Sequence, residues 1–554
     1  MYKLWFLGLA VALTACSDRP YDPGAPAIDP SAPVVHITTP ARGTFAGSAR
    51  TLLVRGTASD DTKLASVEVN GVTAALDTSG GWEAYIPVGA GTQLIHAVAR
   101  DAQGNTAKES RAVVIGPLRP IATGVPRAIT AALSAQTFDA LGRGVTGFLK
   151  TGDLAAIIAP HNPVIDVGGG PDCLFAQASI TRMSVGSATT VAISPASGGL
   201  QLDVELDRVA IGMHLRYAVA CFDGSRDVSL AASHIRVSGL LTVGINGGAF
   251  DIALASPVVK VTGFDADLGG VPGEIVDLLH IDSAIGSVIG WATGTFVVPL
   301  VNGALDELNA RATVSVLGTL VDIAVSPAQI RIDSGGAVVE LDSALRAHGD
   351  TGSPGYVYVA NQVPPISSDS SNAGFALAIA DDAANQLLGS FWAAGGLDMA
   401  FDLTTGSYGN IGQLYDRVEL SAKVPPFIDA SGGSLALTIG DLVATFKRGQ
   451  TIATEVAVNA QIEVKVTTGT DGKPRLDVGA PTTYVDVLDE NVEGSNPLSN
   501  AQFEAITSFA LARVLAVGSG AVGAIPLPTF GGVAMRDVGI AEQAGYLVVD
   551  GNLQ

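Results

Sequence analysis

Leu200-Gln201-Leu202-Asp203-Val204-Glu205-Leu206-Asp207 alternates apolar and polar residues without a break over eight positions. In an extended chain successive side chains point to opposite faces, so this stretch is a strand with one greasy face and one acidic face. Similar runs follow around Val228, Ile235–Val237 and Phe250-Ile252-Leu254. Upstream, Ile129, Leu133, Leu141, Val145 and Phe148 recur at helical steps, with Thr137 filling the gap. Gly142, Gly144 and Gly147 spell a lone G-x-G-x-x-G, but no strand precedes it, and it reads as helix packing. Downstream, Ile275, Leu278, Ile281, Ile285, Val288, Ile289, Ala292 and Phe296 form one stripe. This predicts a long apolar helix broken at Pro299.

Strands return at Ile330-Arg331-Ile332 and Val339-Glu340-Leu341, and then the cycle repeats. A helix carries Ala384, Leu387, Leu388, Phe391 and Trp392. Strands follow at Leu435–Ile439, Val456–Val458 and Ile462–Val466. A last helix opens on a capping box, Ser499 with Gln502, and carries Phe503, Ile506, Ala510 and Val514. The expected fold class is therefore mostly β with long helices (α+β), as two curved antiparallel sheets each wrapped around helices.

The N-terminus is a separate text. Lys3, the apolar run Leu4–Leu13 and Leu13-Thr14-Ala15-Cys16 have the form of a secretory signal peptide, too short to span a bilayer. The tetrad resembles the bacterial lipobox. That resemblance implies a lipoprotein signal peptide at 1–16 with its lipobox ending at Cys16, acylation of Cys16 and, with Ser17 next, a lipid anchor in the outer membrane. Residues 17–33, rich in Pro, Ala, Asp and Ser, read as a flexible or extended spacer. Cys173 and Cys221 are then left as a pair able to bridge in an oxidising compartment.

From 34 to 116 the chain shows short alternating runs, among them Leu52–Arg55, Val67-Glu68-Val69-Asn70-Gly71, Trp82–Ile86 and Ile95–Ala99. These predict a β-sandwich with Trp82 in its core. The Val67–Gly71 and Ala99–Asn105 texts resemble bacterial Ig-like repeats, which implies a module spacing the main body from the membrane. Asp60, Asp61 and Asp101 have calcium-ligand chemistry, although aspartates capping their own turns are the commoner case.

The order of elements after residue 121 resembles the tubular lipid-binding superfamily, in its bactericidal/permeability-increasing and cholesteryl ester transfer group. The texts that carry it are Val321–Pro327 with Val339–Leu341, Asn361-Gln362-Val363-Pro364-Pro365, Ile379–Leu388 with Ala394–Leu397, and Ile525–Pro528 with Gly545–Val549. The resemblance implies a boomerang of two barrels, a first at 121–325 and a central sheet plus second barrel at 326–554. Each would hold a lipid tail between helix and sheet. The implied lining is Leu133, Leu141, Val145, Leu278, Ile285 and Val288 in the first, and Leu387, Phe391, Phe503, Ile506 and Val514 in the second.

A net charge of −22 argues against nucleic acid and against attraction to anionic lipid surfaces. The seven His are scattered, and no G-x-S-x-G, Walker loop or C-x-x-C occurs. The expectation is a non-enzyme with no cofactor and no catalytic or metal-binding residues. It would bind and transfer phospholipid or another long-chain lipid at the bacterial envelope, with the membrane as its one other expected contact. The competing reading is an adhesion or scaffold lipoprotein with solid barrels.

Overall fold

The computed structural model describes residues 31–169, 174–279, 297–309, 311–316, 318–361, 366, 374–404, 411–431, 434–468, 474–490, 502–503 and 535–553. Alternation in the sequence becomes strand almost everywhere. The N-terminal module has nine strands: β1 (Val34–Thr39), β2 (Thr44–Phe45), β3 (Thr51–Ser59), β4 (Leu64–Val69), β5 (Val72–Thr73), β6 (Ala75–Leu76), β7 (Gly81–Pro87), β8 (Gly91–Asp101) and β9 (Thr106–Ile115). They form two sheets, β1-β3-β7-β6 and β2-β9-β8-β4-β5. Ile37, Val54, Val67, Trp82, Ile86 and Ile95 fill the space between them. The carboxylates of Asp60 and Asp101 accept N–H groups of their own turns, from Thr62 and Lys63, and from Gln103 and Asn105.

Next come β10 (Leu118–Arg119), β11 (Val125–Ser134), α1 (Ala135–Thr151), α2 (Leu154–Ile158), β12 (Ile165–Gly168), β13 (Phe175–Ser184) and β14 (Thr190–Ala196). Three long strands follow, β15 (Gly199–Val219), β16 (Phe222–Asn246) and β17 (Ala249–Asp267), of 21, 25 and 19 residues. At about 3.3 Å per residue these reach roughly 60–80 Å. The sheet order is β12-β13-β15-β16-β17, with β14 also on β15. Irregularities cross this sheet in a line. Arg208 takes φ +43° where the β15–β16 pairing skips Arg208 and Ser233 without a change of register, and Gly263 takes φ +62° against the Ser233 side chain. The β16–β17 register shifts between Ser238 and Leu240, where β17 carries an extra residue at Ser256-Pro257. Extra residues of this kind bend a sheet and increase its twist.

The apolar face of the long sheet is covered by α1, by α3 (Gly273–Leu279) and by α4 (297–306), so that strands and helices share one apolar core. Gly142 sits where α1 crosses β14, and a Cβ there would press on the Val191 carbonyl. The G-x-G-x-x-G is therefore mid-helix.

The rest comprises β18 (Arg311–Val316), β19 (Thr319–Asp333), β20 (Gly336–Ala347), β21 (Tyr356–Val357), β22 (Phe375–Ala380), α5 (Asp381–Ala393), β23 (Met399–Asp402), α6 (Ile411–Leu414), β24 (Arg417–Ala422), β25 (Phe427–Asp429), β26 (Leu435–Arg448), β27 (Thr451–Thr468), β28 (Pro474–Val478), β29 (Thr482–Glu490), β30 (Met535–Gln543) and β31 (Tyr546–Leu553). A central sheet, β18-β19-β20-β11-β22-β31-β30, brings β11 together with the last strands β30 and β31. A last sheet, β23-β24-β26-β27-β28, carries β25 on β26 and β29 on β27.

Two expectations need correcting. Long helices are not found: among the described residues the longest is α1, at 17 residues, and α5 has 13. A stripe of Leu and Ile marks which face is buried but does not fix how long the helix runs. Pro299, read as a break, lies within α4, and residues 280–296 lie outside the described residues. The boomerang of two matched, helix-filled barrels is likewise replaced, among the described residues, by three large unlike sheets and a two-stranded β10-β21 pair, with the central sheet taking strands from both halves.

The module, expected to be a spacer, is packed onto the last sheet. Leu94, Ala112 and Val114 share an apolar cluster with Val357, Val424 and Phe427. Beside it, Arg42 reaches across to Asp441 Oδ1 at 2.6 Å and Asp486 Oδ2 at 3.2 Å.

Candidate functional site

The exposure of the long sheet's inner face changes across its width. On β16 the inward side chains Leu230, Ala232, Ile235, Val237 and Leu241 are buried. Their β17 partners are Ala266, Phe264, Val261, Val259 and Leu254. All five are only partly buried, although they pack against the same core. Phe250 and Ile252, at the start of β17, are buried. The greasy face thus runs from a sealed centre to a half-open margin along an edge strand, with Leu268, Val271 and Leu278 continuing the margin onto α3. Several outward-facing residues of the sheet are polar and paired, as with Arg236 on Asp203, while Val258 on β17 and Phe222 at the start of β16 are exposed apolar side chains.

The expected lining residues do not form one site. Leu133, Leu141 and Val145 are buried in the first core, and Leu278 is half-buried on its margin. Phe391 is buried with Val321 and Ala347, and Leu387 packs half-exposed against that group. Phe503 lies in a third cluster, 5.5 Å from the Phe446 ring and near Tyr415. Ile285, Val288, Ile506, Val514, Cys16 and Cys173 lie outside the described residues. Cys221 occupies the tight turn joining β15 and β16, at φ +66°. The nearby pair Phe175↔Ala218 lies two residues after Cys173 and three before Cys221.

The polar residues of α5 form a staple between sheets. Gln386 is fully buried; its amide donates to the Ile121 and Thr123 carbonyls and accepts from Leu345 N–H. Ser390 accepts from Ala347 N–H and donates to Asp350, while Asn385 exchanges two bonds with Ile428. Asp381 accepts from Ala430 N–H, and Asp382 from Val359 N–H. Burial raises both carboxyls, Asp381 to about 6 and Asp382 to about 7. Strands cannot bond sideways out of their own sheets, so these side chains satisfy backbone groups at the seams.

The joint between module and last sheet was missed at the sequence level. β26 breaks its register at Gly440-Asp441. Gly440 leaves no room for a Cβ against Ala112, and Asp441 takes φ +42°. Its carboxylate, fully buried, holds Arg42 and accepts Ala112 N–H at 3.0 Å. Asp486 accepts Ser110 N–H at 2.9 Å, and Arg42 also donates to the Ser110 carbonyl. The Gly-Asp interruption inside Leu435–Arg448 was the available signal for a bulge.

A profile of the family described as glucodextranase, domain B, matches residues 33–116, the two-sheet module. No curated protein matches the chain. Among solved structures, a lipopolysaccharide binding protein is 15% identical over 77% of this chain and 99% of its own, with a TM-score of 0.39. P47 from Clostridium botulinum A2 is 10% identical over 77% and 98%, with a TM-score of 0.26. A tandem-repeat segment of a large adhesion protein is 11% identical over 83% and 99%, with a TM-score of 0.15. At these scores the likenesses carry no argument about this chain.

Proposed function

We propose that this chain binds a long-chain lipid along the apolar face of its long sheet, entering at the β17 margin. The observation that carries this reading is the row Leu254, Val259, Val261, Phe264 and Ala266, apolar and half-open beside a sealed core. An acyl chain laid on such a row removes its own methylenes and these side chains from water together. Each methylene contributes roughly 0.8 kcal/mol, so a long tail gains on the order of 10 kcal/mol before the costs of association. The row is narrow and long, which suits an extended tail better than a compact ligand. The protein acts here as a binding and carrying protein, not a catalyst. In this reading it is held at the outer membrane through acylated Cys16.

Native mass spectrometry of the chain lacking residues 1–16, with lipid extraction, tests this. The expected result is co-purifying phospholipid or another long-chain lipid, lost in the double variant V259D/V261D. A chain that stays lipid-free after incubation with phospholipid vesicles contradicts the proposal.

A further inference from the structure

We propose that the joint between the N-terminal module and the last sheet is a proton-tightened latch, firmer at mildly acidic pH than above neutrality. The charges in the joint do not balance. Arg42 and Arg111 face Glu109, Asp441 and Asp486, so two cations meet three carboxylates in a largely water-free seam. Asp441 is fully buried, while Arg42 and Asp486 have side chains only 15% and 10% exposed. An uncompensated negative charge in such a place is costly, and a proton removes the cost.

The surroundings of Asp486 set where the proton goes. From the β1–β2 loop it faces Arg42; from β9, Glu109 and the Ser110 N–H, with Arg111 behind Glu109; from β26, Asp441, whose own N–H is held by Asn459 of β27. On β8, His96 is pushed down to about 4 by burial, with Lys108 adding to the effect, so it brings no charge. It bonds Ser110 through Nδ1 and packs on Tyr484 of β29. On β1, His36 lies 3.5 Å from Glu109 with its side chain 66% exposed, and in its protonated form it supplies a third cation. Burial raises the Asp486 carboxyl to about 6, against the pull of Arg42. Docking therefore takes up a proton as pH falls through 6. The gain levels off below the ordinary carboxylate range.

Hydrogen exchange of the full chain at pH 5 and pH 8, with protection corrected for intrinsic rates, reads the latch at residues 107–114 and 438–446. Protection at the joint is expected to be about tenfold higher at pH 5. In D486N the difference between the two pH values is expected to shrink to the smaller part that His36 contributes, and in R42Q protection is expected to be low at both. Protection of β7 in the module core serves as the folding control. Wild-type protection that is equal or greater at pH 8 overturns the proposal. So does a folded D486N that keeps the wild-type pH dependence.

Discussion

The apolar face of β15–β17 and the seam around α5, Arg42 and Asp441 solve the same problem differently. Each joins pieces of β-sheet that cannot hydrogen-bond to one another. The first does it with side chains that have no directional demands, so its packing can be complete at Val237 and incomplete one strand away at Val259. The second uses carboxylates, amides and a guanidinium whose partners must all be present. Asp441 uses both carboxylate oxygens, one on Arg42 and one on Ala112, and its N–H bonds Asn459. An apolar face can stay partly open and available to a ligand. A buried polar seam holds one arrangement or fails.

Substitutions that separate the two modes test the comparison. Arg42→Ala leaves Asp441 fully buried without its cation, and unfolding by urea should show a loss of about 3–5 kcal/mol, beginning with the module's release. Leu202→Ala, at the sealed centre of the long sheet, should cost about 3 kcal/mol in the same assay through the cavity it opens. Gln386→Leu orphans two carbonyls and an N–H at the α5 seam and should cost about 2–3 kcal/mol.

The raised carboxyls of Asp381 and Asp382 predict that thermal stability increases as pH falls from 8 to 5. The folded state binds their protons more tightly than the unfolded chain, so stability is lost as pH rises through 6 and 7. A scan of Tm against pH should flatten in D382N. Val259→Ala, on the open margin, should cost no more than about 1 kcal/mol. A loss as large as that of Leu202→Ala would erase the contrast between centre and margin.

What could be read from the sequence follows the same division. Strict alternation at Leu200–Asp207 gave the strand and its inward face, because period two admits one extended arrangement. The sandwich of 34–116 was readable for the same reason, and Trp82 is in its core. The first helix stripe marks Leu141 and Val145, which are buried on α1, whereas Ile129 and Leu133, read as its opening turns, lie on β11. Such stripes say nothing of helix length, nor of which core each helix joins. Asp381, Asp382, Asn385 and Gln386 look like solvent-facing helix residues until the seam they satisfy is known. Arg42 and Asp441 are 399 residues apart, and no local pattern links them. The half-open row on β17 reads as ordinary alternation, because only the sheet order makes it an edge.

The central claim is that lipid lies on the β17 margin, and photo-crosslinking tests it most directly. The chain lacking residues 1–16 would be loaded with a phospholipid carrying a photoreactive acyl tail, irradiated and mapped by peptide mass spectrometry. The account predicts adducts concentrated on residues 254–266 and on α3, competed away by unlabelled phospholipid. Adducts scattered over the outer faces of the sheets, or absent from β17 while the lipid remains bound, would contradict it.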